Sequence, residues 1–297
     1  MIDALPRIGI AVHDMDRAVA TFRDRFGIPT HEFRWAPEKL GARMALCSTR
    51  AGASHIELLS PDDPARPHSQ VFLRFLERRG EGLYAMMLNA DDPDAEATVL
   101  ERRGLAMMPR MPEAGGRDIH PREAAGVLIR IYPNHTKEWV EPELDRELGP
   151  LFTRKSTTGL SCIQRVLVAV RDFDAAVAVY RDRLGLDTVI RAEEWAANVR
   201  QAICTPREGA RIEILAPARN AGPIADVLRE RGEGMFALVL ESDDLDASIA
   251  ALRANGVTVR PAADDPHAWE IDRGDAFGVL FRIESSSRVS AGGPPWS

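Results

Sequence analysis

The segment RIGIAVHDMD (Arg7–Asp16) decides the fold, because the chain repeats it as RVLVAVRDFD (Arg165–Asp174). Ile8, Ile10 and Val12 alternate with small or polar residues, which is the period-two pattern of a strand with one crowded face. The aspartates that follow favour the start of a helix, because their carboxylates accept hydrogen bonds from its first N–H groups. The same strand-then-helix pattern in two places predicts two copies of one domain.

Four further blocks recur in the same order in both halves of the chain. They are FRDRFG and YRDRLG (22–27 and 180–185), IELL and IEIL (56–59 and 212–215), RGEGLYA and RGEGMFA (79–85 and 231–237), and GVLIR and GVLFR (126–130 and 278–282). Ordered self-similarity over this length indicates a tandem duplication. We predict a first domain over 1–134, a linker over 135–159, a second domain over 160–285 and a disordered tail over 286–297.

Secondary structure follows from the same periodicities. In the first copy we predict strands over 43–48, 55–59, 83–89 and 127–132, and helices after Asp14, over 69–79 and from Asp92 or Asp94 to 103. In the second copy we predict helices over 174–184, 222–231 and 244–255. Each copy then contains two βαβββ units.

Composition limits the functions that the chain can have. Its 297 residues fit two domains of about 130 to 150 residues each. A net charge of −7 disfavours nucleic acid as a partner. No apolar run reaches the roughly 18 to 20 residues that cross a bilayer, and the N-terminus shows no leader pattern. Three cysteines without a CxxC pair predict neither disulfides nor a zinc ribbon, so we expect a cytoplasmic protein.

A family resemblance becomes visible in RIGIAVHDMDRAVATFRDRFGI, IELLSP, FLERRGEGLYAMML and GVLIRIYP. These segments resemble the methylmalonyl-CoA epimerase family of the vicinal-oxygen-chelate superfamily, which also holds glyoxalase I, antibiotic resistance proteins and extradiol dioxygenases. The resemblance covers nearly all of both copies. It implies an α+β fold of two tandem glyoxalase-type domains, each with two βαβββ units that form a curled mixed sheet around a cavity. It also implies four metal-binding positions in each cavity.

Those four positions carry side chains that do not suit a metal. They hold Arg7, Glu57, Ala85 and Arg130 in the first copy, and Arg165, Glu213, Ala237 and Arg282 in the second. Metal ions need lone pairs from imidazole, carboxylate or carbonyl groups, whereas guanidinium has five donors and no acceptor. We therefore predict no metal ion and no other cofactor in either cavity.

The cluster of arginine and glutamate has two interpretations. In one, two arginines and a glutamate satisfy each other and close a site that has lost its function. In the other, the net positive cavity binds an anion: Arg7 and Arg130, or Arg165 and Arg282, clamp the oxygen, and Glu57 or Glu213 orients them or moves a proton. Both remain open at the level of sequence.

Further candidates lie around the cluster. The resemblance places Glu38 near the epimerase general base, although an exposed loop acid would look the same. His55 shares a strand face with Glu57, and Tyr132 shares one with Arg130; their counterparts in the second copy are Arg211 and Glu284. Trp35 and Trp195 recur at the expected cavity mouth, either to stack on a flat ligand or to anchor a loop.

These residues predict a protein that acts on, or binds, a small acidic or acyl-thioester molecule without a metal. An isomerase, epimerase or lyase would use Arg7 and Arg130 for the anion, and Glu38, Glu57 or His55 for the proton. The alternatives are a non-catalytic binding protein of the resistance type, a scaffold with both cavities closed, and a metal-dependent glyoxalase or dioxygenase relative. We expect a small anionic ligand, no nucleic acid and no membrane as partners; a homodimer is compatible with the sequence.

Overall fold

The structure is a computed structural model that describes residues 1–48, 53–110, 116–133, 151–191 and 199–286. These residues form two mixed sheets of eight strands each, with helices between the strands. The first half of the chain supplies all but one short strand of the first sheet, and the second half supplies the second sheet. Three of the four predicted βαβββ units are complete within the described residues; in the unit over 82–133, an isolated bridge between Met107 and Ile119 stands in place of one strand. Trp195, most of the predicted linker and nearly all of the predicted tail lie outside the described residues.

The first sheet has the strand order β2-β3-β4-β1-β5-β7-β6. Its strands are β1 (Ile2–Ala11), β2 (Thr30–Glu32), β3 (Ala42–Cys47), β4 (His55–Pro61), β5 (Gly82–Ala90), β6 (Arg117–Ile119) and β7 (Leu128–Pro133). Its helices are α1 (Met15–Ala20), which continues as a π-helical turn (Thr21–Arg25), α2 (Ala36–Leu40), α3 (Pro67–Arg79) and α4 (Pro93–Arg102).

The second sheet has the strand order β14-β15-β16-β13-β8-β12-β10-β9. Its strands are β8 (Leu160–Ala169), β9 (Asp187–Arg191), β10 (Val199–Thr205), β12 (Arg211–Pro217), β13 (Gly234–Ser242), β14 (Val259–Pro261), β15 (Trp269–Ile271) and β16 (Leu280–Ser285). Its helices are α5 (Phe173–Val177), which continues as a π-helical turn (Ala178–Arg183), α6 (Pro223–Glu230) and α7 (Leu245–Ala254). The short β11 (Glu208–Gly209) pairs with β1 and is the eighth strand of the first sheet.

Local chemistry explains where the helices begin. Asp14, Asp92, Asp172 and Asp244 are the N-caps of α1, α4, α5 and α7, and each carboxylate accepts a hydrogen bond from a backbone N–H of the first turn. The predicted helix over 69–79 begins two residues earlier, at Pro67. Proline is well tolerated there, because the first N–H groups of a helix have no intrahelical partner.

The two halves pack against each other through pseudo-symmetric contacts. Phe22 of the first half stacks on Phe277 of the second at 6.2 Å between ring centroids. Arg25 donates to the backbone oxygen of Gly256, and its counterpart Arg183 donates to the backbone oxygen of Gly104. One apolar core therefore extends through both modules. No helix of the described residues is long and apolar enough to cross a membrane.

Candidate functional site

Alternation along the strands gives the first sheet two different faces. Ile56 and Leu58 of β4 and Met86 of β5 point into the core that both modules share. The neighbouring residues Glu57 and Ala85 lie on the opposite face. Four adjacent strands, β4, β1, β5 and β7, thus carry the four positions expected for a metal on one face of the sheet. We call this face the first-module site.

An ion pair lies at the centre of the first-module site. Arg7 Nη1 donates to Glu57 Oε1 at 2.9 Å, and the guanidinium carbon of Arg7 lies 5.0 Å from the ring centroid of Tyr132. Arg7 keeps 28% of its side chain exposed, whereas Glu57 is fully buried. Glu57 Oε2 has no hydrogen-bond partner among the described residues, which is costly for a buried carboxylate oxygen.

Arg130 is bound by Asp118, a partner that the predicted arginine–glutamate–arginine cluster did not include. Its guanidinium binds Asp118 with two hydrogen bonds, of 2.5 and 2.6 Å, and donates a third to Tyr132 Oη at 3.3 Å. The physical reason is register, because Asp118 of β6 lies directly opposite Arg130 of β7. Asp118 thus adds a second carboxylate beside the two arginines, which the expectation of a net positive site did not include.

The residues at the four positions do not fit a metal ion. Ala85 has no donor atom, and Arg7 and Arg130 are hydrogen-bond donors only. Glu57 is the only ligand left among the four, and its Oε1 already accepts from Arg7. Within the described ranges, no group of three or more histidine, cysteine, aspartate or glutamate side chains is arranged to hold a metal.

Apolar and aromatic side chains surround the ion pair. They come from β3, β4, β5, β7, α2, α3 and the segment between β2 and α2, and they include Phe33, Leu40, Met44, Leu46, Phe72 and Met87, with Tyr84, Leu128 and Tyr132 packed at the edge. Trp35 is half-buried in this cluster, 5.7 Å from Phe33 between ring centroids. The ion pair therefore lies on a face of the sheet that is otherwise apolar and aromatic.

His55 lies beside the ion pair, as predicted from the strand face that it shares with Glu57. Ser48 Oγ lies 2.8 Å from its Nδ1, and burial, followed by the positive charge of Arg7, lowers the pKa of His55 from 6.5 to about 4. His55 is therefore a neutral imidazole at pH 7. Glu38 is exposed on α2, and no contact of Glu38 with Arg7, Glu57 or His55 is found within the described ranges.

The end of the predicted linker contributes two residues that the sequence did not suggest. Leu151 is 3% exposed and packs in the apolar cluster of the first-module site. Phe152 stacks on His55, with 5.1 Å between ring centroids. The segment is fixed a few residues later, where the backbone N–H of Thr157 donates to the backbone oxygen of Gly27 at 2.9 Å. No periodicity in the sequence marked these side chains as part of a site.

In the second module the equivalent charges are buried and paired. Arg165 binds Glu213 at 3.2 Å and also Glu284, and its side chain is only 6% exposed. Gln201 Nε2 donates to the other oxygen of Glu213 at 3.0 Å. Arg282 is bound by Asp264, with Nη1 3.0 and 3.1 Å from its two oxygens. The charged groups of this module are therefore buried and bound to one another.

Two replacements between the copies account for the difference. Glu284 stands where the first module has Tyr132, and it supplies the second carboxylate that binds Arg165. Gln201 stands where the first module has Met44; the two residues face Leu215 and Leu59, which are themselves equivalent. Arg7 therefore has a single carboxylate partner and remains partly exposed, whereas Arg165 is closed off on two sides.

These features define a tandem protein of two βαβββ-based modules with one exposed and one closed charged site. The chain belongs to the Glyoxalase/Bleomycin resistance protein/Dioxygenase superfamily, whose family model matches residues 7–120 and 164–273. A search of curated proteins finds no match.

Solved structures share this fold. A mutant of 4-hydroxymandelate synthase from Streptomyces coelicolor is similar with 14% identity and a TM-score of 0.66, over 96% of this chain and 92% of that one. A hypothetical protein from Staphylococcus aureus has 12% identity and a TM-score of 0.58, over 96% and 100%. Methylmalonyl-CoA epimerase from Mycobacterium tuberculosis has 27% identity and a TM-score of 0.40, over 48% of this chain and 98% of that one. The first two likenesses, at 14% and 12% identity, concern the fold alone.

Proposed function

We propose that the first-module site binds a small organic anion without a metal ion. The observation that carries this proposal is the state of Arg7, which is partly exposed and donates one hydrogen bond, to Glu57, among the described residues. A guanidinium group has five N–H donors in a planar fork that matches a carboxylate or an enolate oxygen. The unused donors of Arg7 are therefore available to a ligand.

The surroundings of Arg7 suggest the rest of the ligand. Trp35, Tyr84, Tyr132 and Phe152 are aromatic and only partly buried at the edge of the apolar cluster. Aromatic side chains contribute large contact areas to flat or branched groups and favour stacked or edge-on geometries. We infer a carboxylate or acyl thioester whose charged or polarised oxygen binds Arg7 and whose apolar body lies against these aromatic side chains.

Thermal shift in the presence of EDTA tests the proposal, with a panel of aromatic carboxylates, dicarboxylates and acyl-CoA thioesters. Calorimetric titration of a stabilising compound should give one site per chain. Arg7→Gln should weaken binding about 10- to 100-fold, because a hydrogen bond to a charged group contributes about 1.5 to 3 kcal/mol. Arg102→Gln, an exposed change on α4, is the matched control. Unchanged affinity of Arg7→Gln would refute the role of Arg7, and silence across the panel would favour a scaffold.

A second candidate, an isomerase, epimerase or lyase, rests on Glu57. Its Oε2 is buried, has no hydrogen-bond partner among the described residues and belongs to the carboxylate that binds Arg7. Such an oxygen can accept a proton from the carbon next to a carbonyl group, while Arg7 stabilises the enolate oxygen that forms. Returning that proton from the same face to another carbon of a conjugated enolate gives a one-base isomerase without a change in oxidation state, whereas an epimerase would also require a proton donor on the opposite face.

Solvent exchange distinguishes the two candidates. If Glu57 moves a proton, a bound compound should exchange its α-hydrogen for deuterium in D₂O, as seen by NMR. Glu57→Gln should then abolish exchange while binding persists. Binding without exchange in the wild-type protein would instead indicate a binding protein.

A further inference from the structure

Strand β9 leaves an apolar edge on the second sheet. It is the last strand in the order of that sheet and pairs with β10; within the described residues no strand lies along its outer edge. Val189 is 64% exposed and Ile190 is 50% exposed. Apart from Met1, they are the exposed large apolar residues of the part of the chain that the structure describes.

The equivalent edge of the first sheet has a different composition. Strand β2 is the equivalent of β9, and the two share a register in which Thr30 faces Cys47 and Thr188 faces Cys204. One residue further on, the first module has His31 and the second has Val189; the next pair is Glu32 and Ile190. Polar and charged residues on an edge strand oppose pairing with another chain, whereas exposed β-branched residues favour it. Of these two equivalent edges, the one at β9 therefore has the composition of a contact surface.

We propose that β9 pairs in antiparallel fashion with β9 of a second copy of this chain, with Val189 at the twofold axis. The sequence Asp187-Thr-Val-Ile-Arg191 is self-complementary in that register. Val189 faces Val189, Thr188 faces Ile190, and Asp187 faces Arg191 of the second copy at both ends of the contact. Asp187 and Arg191 are also on the same face of the strand as Val189, because side chains alternate.

Charge favours a second copy over an unrelated strand as the occupant. A twofold interface requires that a residue and its partner exchange roles, and opposite charges placed two residues on either side of the axis meet this condition. Opposite charges that face each other across two strands stabilise their pairing, and like charges destabilise it. The pairing would also join two eight-stranded sheets into one and cover Val189 and Ile190 in both copies.

Charge reversal tests the proposal on the full chain by sedimentation equilibrium and light scattering over a range of concentrations. The wild-type protein should dimerise. Asp187→Arg and Arg191→Asp should each weaken the dimer at least about tenfold, because each places like charges opposite each other twice. The double variant should restore the wild-type association, since it recreates two opposite-charge pairs. His31→Lys, at the equivalent position of β2, should leave association unchanged.

Each outcome decides for or against the pairing. Melting temperatures within a few degrees of the wild type would establish that the single variants are folded, and Val189→Lys provides a second variant whose exposed position tolerates a charge. A wild-type protein that stays monomeric at every concentration overturns the proposal, even if β9 captures an unrelated protein. If Asp187→Arg and Val189→Lys do not weaken the dimer, its interface is on another surface and the proposal is wrong. If the single variants dissociate and the double variant does not restore the dimer, the proposed register is wrong.

Discussion

Replacing Arg165 by methionine removes the cation that lies between Glu213 and Glu284 in the second module. All three side chains are buried, and Gln201 provides a further hydrogen bond to Glu213. Without Arg165, Glu213 keeps no ion-pair partner among the described residues, and Glu284 keeps only Arg282, whose Nε lies 3.9 Å from Glu284 Oε1. Breaking a buried pair in this way costs about 3 to 5 kcal/mol. That is a large share of the 5 to 15 kcal/mol by which a typical domain is stable.

The loss of stability in Arg165→Met should depend on pH, and compensating substitutions should reverse it. Burial disfavours a stranded carboxylate and raises its pKa, so the folded variant takes up protons more readily than the unfolded chain. The difference in unfolding free energy between the wild type and Arg165→Met should therefore become smaller as the pH falls towards about 5. Adding Glu213→Leu, Glu284→Leu and Gln201→Met should return stability to within about 1 kcal/mol of the wild type or above it, because apolar residues of similar size replace buried ion pairs without penalty.

Urea denaturation followed by circular dichroism at pH 7.5 and at pH 5.5 measures these changes. The two modules share a core, so the wild-type protein should unfold in one transition. A loss below about 1 kcal/mol for Arg165→Met would mean that the pair is not desolvated as the structure shows. A fourfold variant as unstable as the single one would refute the view that the network serves only to close this module.

Three further predictions concern single side chains. Burial and Arg7 lower the pKa of His55 from 6.5 to about 4, so the folded state binds fewer protons than the unfolded chain between these pH values. The contribution of neutral His55 to the unfolding free energy is complete above pH 6.5 and is lost as the pH falls towards 4. His55→Gln should therefore flatten the pH dependence of the unfolding free energy. A Cβ at Gly126 would lie 2.2 Å from the backbone oxygen of Glu233 of the second module, whereas a Cβ at Gly80 would meet nothing within 4 Å. Because both glycines have positive φ, Gly126→Ala should lower the unfolding free energy by about 1 to 3 kcal/mol more than Gly80→Ala in the same denaturation assay. Equal losses would contradict the close approach of the two modules. Burial raises the pKa of Cys47 to about 12, so the native protein at pH 8 should resist a thiol–disulfide reagent that labels this residue in urea; rapid labelling of native protein at Cys47 would be the contrary result.

The sequence predicted the parts of the fold that depend on local patterns. Strand alternation around Ile8 and Ile10, and the capping aspartates Asp14 and Asp92, are read within one turn or one strand, and the structure confirms them. The tandem arrangement was equally accessible, because repeated blocks need no knowledge of packing. Side-chain partners were not accessible in the same way.

Asp118 illustrates why. Its pairing with Arg130 depends on the register of β6 against β7, which no residue near Asp118 reveals. The difference between Tyr132 and Glu284 was visible in the sequence, but its effect depends on the distance from Glu284 to Arg165 across the one intervening strand, β13. Phe152 was assigned to the linker, since nothing in its neighbourhood indicates a contact with His55 almost a hundred residues earlier.

Metal content tests most directly whether these modules work without a metal ion, because arginine and alanine at three of the four positions in each module cannot act as metal ligands. Protein purified without a histidine tag would be incubated with Zn²⁺, Co²⁺ or Mn²⁺, passed through gel filtration and analysed by inductively coupled plasma mass spectrometry. We predict well below one bound ion per chain, and unchanged ligand binding in EDTA. One tightly bound divalent ion per module, lost on mutation of Glu57 or Glu213, would contradict the account.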